Sequence, residues 1–286
     1  MAQTFASYPI ELTLILSLIL GLVVGSFLNV VIYRLPLQMQ NSWRRDARDF
    51  LGQEPVEAET KFSLVYPPSR CTKCETLIKP WHNIPIIGYL LLKGRCKSCA
   101  APISLQYPAV ELICGLLTVA VVYHFGFTAQ AAFAVFFTWV LVALTGIDVN
   151  HQLLPDNLTL PLLWLGLLVN MSATFVPLAD AVAGAVAGYM VLWLVYWAFK
   201  LITGKEGMGH GDFKLLAALG AWLGWQQLPM IILLSSAVGA IIGTAGILLY
   251  GRERQAQIAF GPYLAIAGWI ALVAGEEITR SYLQLF

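Results

Sequence analysis

Two aspartates stand where long apolar stretches of the sequence end or begin. Asp148 closes the run that ends in Thr145-Gly146-Ile147, and Asp212 opens another run after Gly207-Met208-Gly209-His210-Gly211. Ionisable groups next to membrane-like segments are costly and by default indicate function. Two carboxylates can share a proton and activate a water, one acting as base while the other donates to a carbonyl oxygen. The pair Asp148 and Asp212 therefore indicates aspartic hydrolysis.

The residues around Asp212 suit such a site. Gly209 and Gly211 would let the backbone approach a substrate closely, because neither has a side chain in the way. Lys214 could help to keep Asp212 ionised, or it could extend its ammonium group to the membrane surface. The structural alternatives are a helix cap for Asp212 and a carboxylate at the water interface for Asp148.

Other ionisable residues nearby have simpler interpretations. Asp156 is a third candidate acid, but Asp156, Asp180 and Asp212 each precede an apolar run, where a carboxylate can cap free backbone amides. His151 and His210 flank the candidate site, and we assign neither a catalytic role.

Four cysteines form two pairs, Cys71-x2-Cys74 and Cys96-x2-Cys99, separated by 21 residues. Each pair can place two thiolates on one metal, and four thiolates complete a tetrahedral zinc site. Such a site is closed, so the single Zn²⁺ would fold this segment rather than perform chemistry. Redox-active pairs and disulfides are the alternatives. Cys114 lies in an apolar run and is interpreted as a small core residue.

The composition indicates that these groups belong to a membrane protein. The chain of 286 residues is 58% hydrophobic and 12% charged, whereas soluble domains carry about a quarter charged residues. We predict an all-α polytopic membrane protein with about eight transmembrane helices and a cytoplasmic zinc-knuckle insert. The apolar runs are Ile10–Tyr33, Gln106–Tyr123, Gln130–Ile147, Leu158–Phe175, Ala181–Lys200, Phe213–Trp225, Met230–Tyr250 and Ile258–Ala274, of which the sixth is short enough to be a partial span.

Charge orients these runs. Of 17 Lys and Arg, 11 lie between Arg34 and Lys97, where there are six acidic residues. The positive-inside rule therefore places this segment in the cytoplasm. Eight spans then put Asp148 and Asp212 at the cytoplasmic face and both termini outside, and the inward loops carry Lys205, Arg252 and Arg254.

Three regions follow from this organisation: residues 1–33 as a first transmembrane helix, 34–104 as the zinc-binding insert, and 105–286 as a seven-helix membrane domain. The stretch before Ile10 has no Lys or Arg, and no small-residue cleavage site precedes the basic residues. We therefore interpret the first run as a retained helix rather than a removable signal.

Several segments together resemble the type IV prepilin peptidases, over nearly the whole chain. Asp148 and Gly209-x-Gly211-Asp212 match the two catalytic aspartates of this GxGD protease class, and the paired cysteines match the insert of its bifunctional members. The other matching segments are Gly25–Pro36 (GSFLNVVIYRLP), Tyr107–Leu112 (YPAVEL), Leu215–Gly224 (LLAALGAWLG) and Phe260–Pro262 (FGP).

The resemblance implies a bifunctional enzyme of the bacterial inner membrane. Its substrates would be type IV prepilins and type II secretion pseudopilins, cut after a Gly on the cytoplasmic side. The new N-terminal residue, usually Phe, would then be methylated with S-adenosylmethionine. Glu111 could bind the substrate amine or serve methyl transfer, although an interfacial carboxylate is the simpler interpretation. The expected partners are these proteins and membrane lipid, and no nucleic acid.

Three alternatives remain at this point. The chain could be a peptidase without methyl transfer, or a presenilin-like protease that cuts inside transmembrane helices. The position of the aspartates at the membrane face and the lack of a Pro-Ala-Leu motif disfavour the second. It could also be a transporter in which the aspartates bind protons or cations, but no pair of corresponding broken helices is evident.

Overall fold

The computed structural model describes residues 9–53, 63–205, 207–250 and 259–283. Within these ranges the regular structure is helical, apart from two isolated β-bridges, which confirms the predicted all-α class. The helices are α1 Ile10–Phe50, α2 Ile87–Leu91, α3 Gln106–Phe125, α4 Ala129–His151, α5 Asp156–Val169, α6 Leu178–Thr203, α7 His210–Leu223, α8 Leu228–Tyr250 and α9 Gly261–Leu283.

The fold divides into two compact units, Met1–Phe127 and Thr128–Phe286. In the first unit, α1 is 41 residues long, or about 60 Å at the α-helical rise. The expectation that this helix ends at Tyr33 is wrong. It continues through Pro36 to Phe50, because an apolar run marks only the part of a helix that lipid covers. The buried guanidinium of Arg34 donates to the carbonyls of Ser63 and Leu64, at 3.0 and 3.3 Å.

Helices α1 and α3 pack closely through small residues. A Cβ at Gly21 would lie 2.7 Å from the Cα of Gly115, and a Cβ at Gly25 would lie 2.8 Å from the Cα of Glu111. Spacing of small residues by four positions permits this approach of two backbones in lipid. Asn29 adds a polar link, since its side-chain nitrogen donates to the carbonyl of Tyr107 at 3.0 Å.

In the second unit, α7 is the central helix. Its residues Asp212, Phe213 and 215–223 are all buried. A helix that is apolar on every side is expected in a core. Helix α6 contacts it through glycines: a Cβ at Gly184 would lie 2.4 Å from the carbonyl oxygen of Gly220, and one at Gly188 would lie 2.6 Å from that of Leu216.

Five segments within the described residues are long and apolar enough to cross a membrane: Ile10–Phe50, Gln106–Phe125, Ala129–His151, Leu178–Thr203 and Trp225–Ala245. Helices α5 and α7 have 14 residues each, about 21 Å, which is shorter than the hydrocarbon core of a bilayer. The sixth run thus forms a short buried helix. The chain is a multi-pass membrane protein, and the count of eight spans stays a prediction.

Helix α5 ends earlier than its apolar run. The run continues to Phe175, but α5 stops at Val169 and a 3₁₀ turn follows at Asn170–Ser172. The side chain of Asn170 is fully buried in this turn, and its polar contacts hold the turn in place, as described below.

None of the three aspartates occupies the N-cap position of its helix. Pro155, Pro177 and Gly209 occupy the cap positions, and none of them makes a side-chain capping hydrogen bond. The capping prediction is therefore wrong. Asp156, Asp180 and Asp212 lie in the first turns, where a negative charge interacts favourably with the helix dipole.

Some charges behind the orientation lie outside the described residues: Glu54, Glu57, Glu59, Lys61, Arg252 and Arg254. The division of the chain into residues 1–33, 34–104 and 105–286 stays a prediction.

The Gly184–Gly220 crossing gives a stability test. Gly184→Val should lower the free energy of unfolding by about 1–3 kcal/mol or more, because the new Cβ meets a backbone oxygen rather than a flexible side chain. Ala183→Val is the control, since Ala183 is exposed on the same helix. Thermal unfolding in detergent measures both variants. Equal melting temperatures would contradict the close crossing.

Candidate active site and metal site

Asp148 lies in the last turns of α4 and is almost fully buried. The backbone N–H of Gly261, the first residue of α9, donates to Asp148 Oδ2 at 3.0 Å. A Cβ at Gly261 would lie 2.6 Å from the same oxygen. Only glycine therefore allows this amide to approach the carboxylate so closely.

Leu154, in the connection between α4 and α5, links this carboxylate to the second one. Its Cδ2 lies 3.0 Å from the position of a Cβ at Gly261, and its Cβ lies 2.7 Å from that at Gly211. Asp212 follows Gly211 in the first turn of α7 and is also buried. The carboxyl groups of Asp148 and Asp212 interact electrostatically. The structure thus brings together residues 64 positions apart.

Gly209 leaves open space on one side of this pair. The nearest atom to a Cβ built at Gly209 would be Asp212 Oδ2, at 3.7 Å. Its backbone is extended, with φ −80° and ψ 146°, so the conformation itself does not require glycine. The absence of a side chain beside the carboxylate is what this residue provides. The ring of His210 packs on Tyr196 and Phe213 instead, with centroid distances of 5.1 and 5.3 Å.

Lys214 is placed away from its predicted partner. Its ammonium group bonds both carboxylate oxygens of Asp156, at 2.7 and 2.8 Å. Asp156 is half exposed, at 53%, so this pair fastens α5 to α7 near water and contributes modestly to stability. Because Lys214 is paired with Asp156, its ammonium group is not directed toward Asp212.

The far end of α7 is held by buried polar contacts. Trp222 donates from Nε1 to the carbonyl of Leu162 at 2.8 Å. Asn170 donates to the carbonyls of Ala221 and Trp222, at 2.9 and 3.1 Å, and its side-chain oxygen accepts from the N–H groups of Phe175 and Val176. The two bonds from the Asn170 nitrogen satisfy terminal carbonyls of α7, and the Trp222 bond ties the same end of α7 to α5. They fix the rotation and axial position of the helix that carries Asp212.

The four paired cysteines form the second site. The Sγ atoms of Cys71, Cys74, Cys96 and Cys99 all lie within 4.8 Å of one another. The contacts Cys71–Cys99 and Cys74–Cys96 measure 3.8 and 3.9 Å. A zinc ion with Zn–S bonds of about 2.3 Å requires sulfur–sulfur distances of about 3.8 Å in a tetrahedron. The cluster therefore fits one zinc ion.

Each cysteine pair has the same local structure. A β-bridge joins Arg70 to Leu77 in one knuckle and Arg95 to Pro102 in the other. In both, the first cysteine N–H donates to the carbonyl five residues later, at 3.0 and 2.8 Å. Both knuckles have a residue with positive φ after the second cysteine, Glu75 at 55° and Ala100 at 56°. This repeat of one turn explains how two distant pairs present their sulfurs to one point.

Local hydrogen bonds shift the pKa values of two of these thiols, Cys74 and Cys99, in opposite directions. Side-chain and backbone hydrogen bonds of Thr76 lower the pKa of the Cys74 thiol to about 6. The backbone amide of Ala101 acts to lower the pKa of Cys99, but hydrogen bonding with Cys74 and burial outweigh it and raise that pKa to about 11. At neutral pH and without a metal, the Cys99 thiol therefore keeps its proton, whereas the Cys74 sulfur is largely a thiolate. A bound Zn²⁺ would displace that proton.

Glu111 has a positional role in the structure. Its side chain is buried, Oε2 accepts from the N–H of Ile86 at 2.7 Å, and Ser26 also hydrogen-bonds to it. Ile86 has a φ of 60°, which is strained for a β-branched residue. Glu111 thus holds the turn before α2. Since its carboxylate is engaged in this way, its predicted part in cofactor binding gains no support.

Sequence reasoning missed three residues that shape the candidate active site: Gly261, Leu154 and Asn170. The segment Phe260-Gly261-Pro262 was noticed as a resemblance, but without a role. Nothing local in the sequence marks Leu154 or Asn170, because the contacts that link them to α7 are with residues more than 50 positions away, such as Gly211 and Ala221.

The fold and the two sites define a polytopic helical membrane protein with paired buried carboxylates and a four-cysteine module. Residues 19–125 match the family model "Bacterial Peptidase A24 N-terminal domain", and residues 135–244 match "Type IV leader peptidase family". The chain belongs to the type IV leader peptidase family.

Curated relatives cover the chain almost completely. A protein of Stutzerimonas stutzeri is 57% identical over 99% of this chain and 97% of its own length, and one of Pseudomonas aeruginosa is 56% identical over 98% and 96%. A protein of Legionella pneumophila is 45% identical over 97% and 96%. All three are named prepilin leader peptidase/N-methyltransferase. No solved structure matches the chain.

The cysteine cluster gives a direct metal test. The wild-type protein should contain about one zinc per chain, whereas Cys74→Ser should lose most of it, because a hydroxyl is a poor replacement for a thiolate. Cys114→Ser is the control, since Cys114 is fully buried in α3 outside the cluster. Elemental analysis of purified protein measures the zinc. Equal zinc in Cys74→Ser and Cys114→Ser would contradict the site.

Proposed function

We propose that this chain is a prepilin leader peptidase and N-methyltransferase of the bacterial inner membrane. It would remove the basic leader of type IV prepilins and type II secretion pseudopilins after a Gly, and then methylate the freed N-terminal amine. The proposal rests on the close placement of Asp148 and Asp212, which Leu154 and Gly261 connect through their contacts. The chain is also 57% identical to a prepilin leader peptidase/N-methyltransferase.

The two carboxylates divide the work of amide hydrolysis. One of them, ionised, takes a proton from a water molecule, and the water oxygen attacks the carbonyl carbon of the Gly. The other, protonated, gives its proton to the carbonyl oxygen. When the tetrahedral intermediate collapses, the C–N bond breaks and a proton passes to the leaving amine. The Gly261 N–H bond orients Asp148 for this exchange, and the open side at Gly209 admits the extended substrate backbone.

Position in the membrane supports this use of the site. The excess of basic residues between Arg34 and Lys97 favours a cytoplasmic insert. If the aspartates lie on the same side, as the predicted eight-span topology has it, the leader would be cut at the cytoplasmic face. Both termini of the enzyme would then be periplasmic.

The zinc module would have a structural role. Four cysteines leave no open coordination position for a substrate, so Zn²⁺ held by Cys71, Cys74, Cys96 and Cys99 would stabilise the insert. S-adenosylmethionine would supply the methyl group for the second reaction, as the names of the relatives imply.

Other functions have less support. A presenilin-like protease or a proton-coupled transporter would also use intramembrane carboxylates. However, the relatives that cover this chain almost completely carry the names of neither class, and the four-cysteine module has no evident use in a transporter.

The catalytic pair is tested by isosteric substitution. Asp148→Asn and Asp212→Asn should each lower the rate of prepilin cleavage by about 100-fold or more, because an amide can neither accept the proton from water nor supply one. Asp180→Asn is the control, since an amide oxygen can still accept the bond from Trp225 Nε1. Mass spectrometry of a prepilin in membranes measures leader loss. Wild-type cleavage by either variant would reject the assignment.

The same assay separates the two activities. With S-adenosylmethionine present, the wild-type protein should add one methyl mass to the cut substrate. The variant Asp148→Asn should still methylate a substrate supplied without its leader, because that substrate already has a free amine. If the wild-type protein cleaves without adding a methyl group, the peptidase-only alternative holds.

Gly261 is tested as a positioning residue. Gly261→Ala should lower kcat for cleavage with little change in KM, because the new Cβ displaces the Asp148 carboxylate rather than the bound substrate. Gly268→Ala is the matched control, because Gly268 lies on the same helix as Gly261 but away from Asp148. Its new Cβ would lie 2.5 Å from Cδ2 of Leu219 on α7. A loss of kcat shared by both variants would show a general packing defect instead.

A further inference from the structure

The zinc-binding insert exposes a row of large apolar side chains, which we call the insert's apolar face: Trp81, Ile84, Ile87, Leu90 and Leu91. On α2, Ile87, Leu90 and Leu91 are spaced i, i+3, i+4 and share one side. Leu90 and Leu91 are 67% and 66% exposed. The opposite side is packed, because a Cβ at Gly88 would lie 2.1 Å from the carbonyl oxygen of His82. This asymmetry indicates a surface that is covered by something other than the insert itself.

The position of α2 identifies what covers it. The N–H of Ile86 is bonded to Glu111, the sixth residue of α3. At the α-helical rise, Glu111 lies about 7.5 Å from the first residue of a helix that is long and apolar enough to cross a membrane. Beyond Glu111, the apolar residues Leu112, Ile113 and Leu116 are exposed on α3. The bond therefore holds α2 at the level where lipid begins to cover α3.

The charges around this face suit a lipid surface. Between Ser63 and Ser104 the described insert has six basic residues and one acidic residue: Arg70, Lys73, Lys79, Lys93, Arg95 and Lys97 against Glu75. Lys79 lies over the ring of Trp81, with its Nζ 5.3 Å from the centroid, and Lys93 stands two residues after the end of α2. Amphipathic segments with Trp and Leu on one side and Lys nearby are typical of the membrane interface.

We propose that the insert's apolar face is embedded in the lipid–water interface, with Lys79 and Lys93 against anionic headgroups. This contact anchors the zinc module to the bilayer surface through the hydrogen bond between Ile86 and Glu111. The module is thereby held flat on the membrane rather than extended into the aqueous phase.

An environment-sensitive fluorescent amino acid, incorporated in the full-length protein at Leu90, tests this contact. Phe50 is the control position: it is 92% exposed at the end of α1 and lies about 25 Å along that helix from Tyr33. The protein is placed in lipid nanodiscs with brominated acyl chains, and its zinc content verifies that the insert is folded. The Leu90 probe should emit at shorter wavelength and be quenched at least threefold more than the Phe50 probe.

Equal quenching at the two positions would overturn the proposal. So would a blue-shifted Leu90 probe that brominated lipid does not quench, because protein would then cover the face. The role of charge is tested by comparing discs of phosphatidylcholine alone with discs containing phosphatidylglycerol. Quenching at Leu90 should be greater in the anionic discs, and Lys79→Gln with Lys93→Gln should remove the difference. Equal quenching of the unsubstituted protein in both discs would refute the headgroup contact.

Discussion

A carboxylate surrounded by apolar helices remains usable only if hydrogen bonds and water compensate for its burial. This constraint explains the second unit of the fold. Asp148 accepts the N–H of Gly261 at 3.0 Å, and Asp212 lies in the first turn of a helix, where backbone amides face a negative charge. Both carboxylates therefore come from helix ends rather than helix centres. The open side at Gly209 leaves room for water and for an extended peptide.

The constraint also explains why α7 is short and why it is enclosed. A helix that must present Asp212 at one fixed depth cannot slide or rotate, so its other end is fastened by buried hydrogen bonds of Trp222 and Asn170. Close crossings such as Gly184 against Gly220 remove the remaining freedom. The first unit uses different chemistry for the same purpose. There, the four thiols and the bond from Ile86 to Glu111 fix a segment that has few buried apolar residues.

Composition and spacing were sufficient to predict the helical membrane class, the apolar runs and the four-cysteine cluster, because lipid burial and metal binding both leave local patterns. Local patterns failed where a distant contact decides the outcome. Helix α1 continues past Tyr33 in polar sequence, and α5 ends at Val169 within an apolar run. Lys214 pairs with Asp156 across 58 residues instead of with its neighbour Asp212. For the same reason Gly261, 113 residues from Asp148, could be noticed in the sequence but not given a role.

The central claim is that Asp148 and Asp212 act on one water molecule. An experimental structure in lipid with an uncleavable prepilin peptide bound would measure it most directly, as the distance between their nearest carboxylate oxygens. We expect less than about 6 Å, so that one water can hydrogen-bond to both groups beside the amide to be cut. A clearly larger separation, with the peptide bond next to only one carboxylate, would contradict the account.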